Sequence, residues 1–141
     1  DSTVIFICFS VDSPDSLDNV HEECISEVLH FCQGVPIILV GCKADLRNDP
    51  NTIEQLRQQQ YLPVSSSDGQ AVAQKIGATN YLECSARTGE GVREVFEAAT
   101  RASLRTKTKP HGSSHKKCVV FQGVSFPYLE SINNILLQFC P

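Results

Sequence analysis

The sequence predicts an α/β fold, a parallel sheet with flanking helices, from three observations. Apolar runs at residues 4–9, 35–41 and 80–85 read as strands, stretches of helical apolar spacing alternate with them, and each run ends in a polar loop. Alternation of this kind needs crossover connections, which set the strands parallel and bury both sheet faces.

Residues 4–9 are β-branched and aromatic with one cysteine, the composition of a strand buried on both sides. Ser10-Val-Asp-Ser-Pro-Asp-Ser follows, with N-cap side chains and a proline suited to a first helical turn. Residues 15–31 then place Leu17, Val20, Cys24, Ile25, Val28 and Leu29 at helical spacing, and Gly34 ends that helix. The second strand runs over 35–41, and Cys42-Lys-Ala-Asp-Leu occupies its carboxyl end. Asp49-Pro-Asn-Thr opens a glutamine-rich stretch to about Gln60, read as a short solvated helix. Ser66-Ser-Asp68 caps another, with Ala71, Val72, Ala73 and Ile76 on one face and Gly77 as its stop. After the third strand and Thr88-Gly-Glu-Gly, a helix over 92–104 turns Val92, Val95, Phe96 and Ala99 inward.

Composition sets outer bounds. A chain of 141 residues, 41% hydrophobic and 20% charged, is one domain's worth, and its net charge of −4 gives no general attraction to nucleic acid. Seven cysteines form no C-x-x-C pair and several sit in apolar runs, which predicts buried thiols and a reduced, cytoplasmic setting rather than a disulfide scaffold. No stretch approaches 18 apolar residues, and no basic leader precedes the first strand. The chain begins inside a strand pattern without methionine, which reads as a fragment.

In parallel α/β sheets ligands bind at the carboxyl ends of the strands, so chemistry is expected at residues 10–16, 41–46 and 84–89. A carboxylate at Asp45 can accept two parallel hydrogen bonds from the N1–H and exocyclic amine of guanine, a pair that adenine does not offer. Lys43 can lay its methylene stem along a base while its ammonium stays in water. At the end of the third strand, Ser85 can brace its loop, small Ala86 lets a backbone amide approach guanine O6, and Arg87 can flatten against the base edge. Either motif alone is an unspecific signal. Together, at the ends of consecutive parallel strands, they would share one crevice.

V-G-C-K-A-D-L and E-C-S-A-R resemble the two guanine-specificity motifs of Ras-superfamily GTPases. F-S-V-D-S-P-D-S-L-D-N-V, I-S-E-V-L and the helical insertion over about 48–69 are similar to the Rho branch, and the resemblance extends over residues 1–121. It implies a GTP/GDP-binding switch in signal transduction. By that resemblance Lys43 and Asp45 read the base, Ser85 and Ala86 form the loop that meets guanine O6, and Arg87 replaces the commoner lysine. Cys42 stands where many relatives carry Asn or Thr to tie the loop to the phosphate loop, and Cys24 where Rho proteins usually have tryptophan. Partners implied are guanine nucleotide and the regulators and effectors of Rho proteins.

The segments that hold phosphate and magnesium have no counterpart here, since G-x-x-x-x-G-K-[ST] and the family's D-x-x-G do not occur. No catalytic residue is assigned, hydrolysis by this chain alone is not expected, and the strand at 4–9 is expected to be an exposed sheet edge. The domain is placed at 1–104. Residues 105–121 read as a basic tail whose Cys118-Val-Val-Phe resembles a C-a-a-X prenylation box; twenty residues follow it, so lipidation at Cys118 and membrane association are expected to fail. Residues 122–141 resemble nothing in the family and are expected to lack order, although Ile132, Ile135, Leu136 and Phe139 fall at helical spacing. The competing reading is a nucleotide-free interaction fragment.

Overall fold

The structure is a computed structural model that describes residues 4–31, 33–106 and 135–139. Its sheet has four parallel strands in the order β3-β2-β1-β4. Strand β1 spans Val4–Ser10, β2 Ile37–Cys42, β3 Asn80–Glu83 and β4 Ile135–Phe139. The helices are α1 Pro14–Asn19, α2 Ile25–Phe31, α3 Pro50–Gln58, α4 Ser66–Ile76 and α5 Val92–Thr106.

The parallel α/β architecture with its first three strands is the one the sequence predicts. Alternation along β1 divides the core: Ile5, Ile7 and Phe9 pack with Val11, Leu17, Val20, Val28 and Ile76 on one face. Val4, Phe6 and Cys8 pack with Val95, Ala99 and Ala102 of α5 on the other. Every β1 residue from Val4 to Phe9 is at most 4% exposed. At about 1.5–3 kcal/mol for each large side chain, this strand is the main apolar anchor of the domain. Phe6 meets Phe96 edge-on at 6.1 Å, and Phe9 stacks on Tyr81 at 6.3 Å.

Several local expectations are corrected. The helix over 15–31 is interrupted by a π turn, Val20–Cys24, in which the Ile25 amide donates to the Val20 carbonyl five residues back. The extra residue rotates the helix, so Val20 and Ile25 share the buried face and Leu29 turns outward, 54% exposed. Helix α4 is capped by Ser65, not Ser66, in a reciprocal box with Asp68. Its Gly77 takes the left-handed conformation expected of a stop, and Ala71 faces solvent. Asp49 caps α3 by accepting from the Thr52 amide at 2.9 Å.

The largest departure is β4. Residues 135–139, in the segment expected to lack order, pair in parallel with β1, from Val4 opposite Ile135 to Cys8 opposite Phe139, and the helical spacing of Ile135, Leu136 and Phe139 is not used. An open β1 edge leaves unpaired amides and carbonyls beside an apolar strand, and a fourth strand satisfies them. Helix α5 runs on to Thr106, and the rest of the basic tail with Cys118, residues 107–134, lies outside the described residues. Among the described residues no helix is long and apolar enough to cross a membrane.

Candidate functional site

The loops after β1, β2 and β3 meet at the carboxyl end of the sheet. The Val11 amide donates to the Cys42 carbonyl at 3.0 Å, and the Ala44 amide to the Cys84 carbonyl at 3.1 Å. Between these bonds the chain leaves β2 in a tight turn. Lys43 adopts the left-handed conformation, φ 57° and ψ 41°, and starts a 3-10 turn, Ala44–Asn48. That conformation costs a non-glycine residue on the order of 1–2 kcal/mol and brings Asp45 round toward β3.

Ser85 is 1% exposed and its hydroxyl donates to Asp45 Oδ1 at 2.6 Å. The same hydroxyl accepts from the Thr88 amide at 3.2 Å, and the Ser85 amide donates to the Glu90 carbonyl at 2.9 Å. These bonds set the turn while Oδ2 of Asp45 and the amide of Ala86 carry no hydrogen bond among the described residues. Oδ2 of Asp45 thus remains available as an acceptor and the Ala86 amide as a donor, the two kinds of group that complement a planar edge offering N–H groups beside a carbonyl.

Lys43 is 60% exposed, and its ammonium lies 3.6 Å from Asp12 Oδ2 in the loop after β1. Ser10 in turn donates its hydroxyl to Asp12. Asp12 was not singled out from sequence; its only signal was a place at the carboxyl end of the first strand. Ala86 and Arg87 are exposed on the turn, with Arg87 contributing positive potential toward Asp49. The structure therefore brings Lys43, Asp45, Ser85 and Ala86 to one rim.

Cys42 is placed differently. Its thiol packs on the α5 face, hydrogen-bonded to those of Cys8 and Cys84, so its contribution to the rim is the carbonyl that Val11 holds. The hydrogen bond with Cys8 and then burial push this thiol up to about 12, against the lowering influence of Cys84. The hydrogen bond with Cys42 and burial raise Cys84 as well.

A second cluster buttresses the rim from below. Arg47, from the 3-10 turn, holds Glu83 Oε2 at 2.5 Å through Nη1 and donates from Nε to the Val64 carbonyl at 2.9 Å. Ser66 and Tyr81 donate to Glu83 Oε1 at 2.5 and 3.0 Å. Burial alone would raise the Glu83 carboxyl, but the bonds from Arg47, Ser66 and Tyr81 outweigh it and hold it below its ordinary value. Burial raises the Tyr81 phenol, and the charge of Glu83 adds to that. Sequence inspection missed this network because its members come from three separate segments, at Arg47, Val64–Ser66 and Tyr81–Glu83.

Among the described residues no group of His, Cys, Asp and Glu has the arrangement of a metal site. Residues 1–105 match the family model described as Ras family. The chain is 78% identical over 120 residues to GTP-binding protein RHO1 of Candida albicans, covering 85% of this chain and 60% of that protein. It is 71% identical over 116 residues to GTP-binding protein RHO1 of Saccharomyces cerevisiae, 82% of this chain and 56% of the relative. Against GTP-binding protein rho1 of Schizosaccharomyces pombe the identity is 65% over 120 residues, 83% and 59%. The chain thus spans about 60% of the length of the curated relatives it matches.

Proposed function

Since this chain belongs to the Ras family, in its Rho branch of small GTPases, we propose that it carries the base-recognition half of a GTP/GDP-binding switch. The observation that supports this reading is the Ser85 to Asp45 hydrogen bond. It anchors Oδ1 through one lone pair, so that Oδ2 and the remaining lone pair of Oδ1 can accept from the N1–H and exocyclic amine of guanine, while the Ala86 amide is free for O6. Lys43, whose ammonium lies 3.6 Å from Asp12, would lay its stem over the base plane, and Arg87 would close the outer edge. Adenine would leave the carboxylate without donors and the amide without an acceptor, a loss of several kcal/mol by the usual cost of unpaired polar groups (about 1–3 each).

Phosphate and magnesium chemistry, which the resemblance implies, has no motif within these 141 residues, so the proposal for this chain stops at the base. Signalling through Rho regulators and effectors is part of the same proposal, as is a cytoplasmic location. Titration with a fluorescent guanine nucleotide, competed by guanosine and adenosine, tests it. Guanosine should displace the probe and adenosine should not, with Asp45→Ala abolishing the difference. Equal competition by both nucleosides would refute base recognition. Magnesium-dependent binding at micromolar concentration or tighter would show a phosphate site that the motifs do not predict.

A second reading is protein binding without nucleotide. It is favoured by Tyr61 and Leu62, 43% and 70% exposed just after α3 within the insertion. Loss of partner capture on Leu62→Ser with guanine binding intact would separate the two.

A further inference from the structure

Three cysteines share the α5 face of the sheet, one from each of the first three strands: Cys8 of β1, Cys42 at the end of β2 and Cys84 just after β3. All three are free thiols. Cys84 brackets Cys42 through the backbone, its amide donating to the Gly41 carbonyl at 2.9 Å and its carbonyl accepting from the Ala44 amide at 3.1 Å. The register that sets Gly41 opposite Glu83 therefore continues by one residue and places Cys42 beside Cys84. Cys8 stands diagonally, since Ser10 is the β1 residue opposite Cys42 and Cys8 itself opposes Val40. Paired positions on neighbouring strands are about 4.8 Å apart, within the roughly 4.4–6.8 Å that a disulfide spans between Cα atoms. Diagonal positions lie about 7–8 Å apart, beyond that span.

We infer that Cys42 and Cys84 are an oxidisable dithiol, which a hydroperoxide closes into a disulfide that ties the ends of β2 and β3 together beneath the rim. The two thiols already share a hydrogen bond. Closure joins the chain just ahead of Lys43 to the chain just ahead of Ser85, so it latches the loops that carry Asp45 and Ala86, whether or not a base is bound. The hydrogen bond with Cys8 raises the Cys42 thiol but the one with Cys84 lowers it, whereas Cys84 is raised by its bond with Cys42 and by burial; Cys42 is thus the first of the pair to ionise. Its thiolate attacks one peroxide oxygen, the O–O bond breaks, and the sulfur becomes a sulfenic acid as water or an alcohol leaves. Cys84 then attacks that sulfur, the S–O bond breaks, and the oxygen departs as water with the Cys84 proton. Two thiols lose two electrons and the peroxide gains them. Both thiols are protonated near neutrality, so closure is slow and its selectivity comes from the pairing of the strands.

Hydrogen peroxide added to the whole chain, followed by alkylation and peptide mapping without reduction, reads the pairing. A linkage between Cys42 and Cys84, two hydrogens lighter than the dithiol and reversed by dithiothreitol, is expected. A linkage of Cys42 to Cys8 in its place, or Cys42 carried to sulfinic acid without any linkage, would overturn the inference. The pairing should require the fold, so oxidation in concentrated urea should give mixed linkages among the seven cysteines. Equal selectivity there would count against strand pairing as the cause. Cys8→Ala should keep the linkage, and Cys84→Ser should abolish it and leave a sulfenic acid at Cys42 that dimedone traps. Hydrogen exchange reads the latch: the Ala44 amide should slow about tenfold or more on oxidation and recover on reduction. Unchanged exchange at Ala44 in the linked chain would refute the latch. Should Cys84→Ser prevent folding, the mapping of the unaltered chain still decides.

Discussion

Ser85 and Asp45 stand 40 residues apart in the chain and share a 2.6 Å hydrogen bond, the serine hydroxyl donating to Oδ1. Removing it in Ser85→Ala leaves the Asp45 carboxylate free to rotate and strips the Thr88 amide of its acceptor. Stability should fall by about 1–2 kcal/mol in urea unfolding. The preference for guanosine over adenosine should fall by about tenfold with it. Unchanged base preference in a folded variant would show that Ser85 is structural only.

Gly91 sits at φ +74°, where an added Cβ would lie 2.2 Å from the Glu83 carbonyl oxygen. That oxygen is backbone at the end of β3 and cannot move aside cheaply. Gly89 has a similar φ of +80° with open space around its Cβ position. Gly91→Ala is therefore expected to cost more than about 2 kcal/mol, and Gly89→Ala only about 1, the cost of the backbone conformation. Equal urea midpoints for the two variants would contradict this.

Cys42 should be a slow thiol. Its hydrogen bond with Cys8 and its burial raise it to about 12 from 9.0, so little thiolate exists near neutrality. Iodoacetamide should label it far more slowly at pH 8 than a free cysteine. Because the folded value lies above the unfolded one, its stabilising contribution is complete below about pH 9 and is lost as pH rises from there toward 12. Cys42→Ala should flatten the alkaline unfolding profile across that interval, and labelling at the rate of a free thiol would refute the assignment.

Glu83 has the opposite sign. Its carboxyl is held below 4.5, so the folded state binds its proton less readily than the unfolded chain. Its contribution is present above about pH 4.5 and is lost as pH falls through the lower folded value. Glu83→Gln should reduce the acid dependence of the urea midpoint below pH 4.5 and weaken the tie between Arg47, Ser66 and Tyr81. An acid profile identical to that of the unaltered protein would show that other carboxylates govern it.

The sheet, its parallel sense and the rim were legible in the sequence because each rests on short-range pattern. Continuous apolar runs mark strands buried on both faces, Gly77 stops a helix through its own backbone freedom, and strand ends mark where loops must gather. From such patterns alone Lys43, Asp45, Ser85 and Ala86 could be assigned to one crevice, with the family resemblance supplying their roles. What only the tertiary structure decided depends on neighbours distant in the chain. The π turn at Val20–Cys24 moved Leu29 outward because core packing, not spacing, chose the buried face. Asp12 became the partner of Lys43 only when two strand ends were set side by side. Residues 135–139 carry a helical spacing yet form a strand, because an unpaired edge of β1 offers backbone hydrogen bonds that local periodicity cannot foresee.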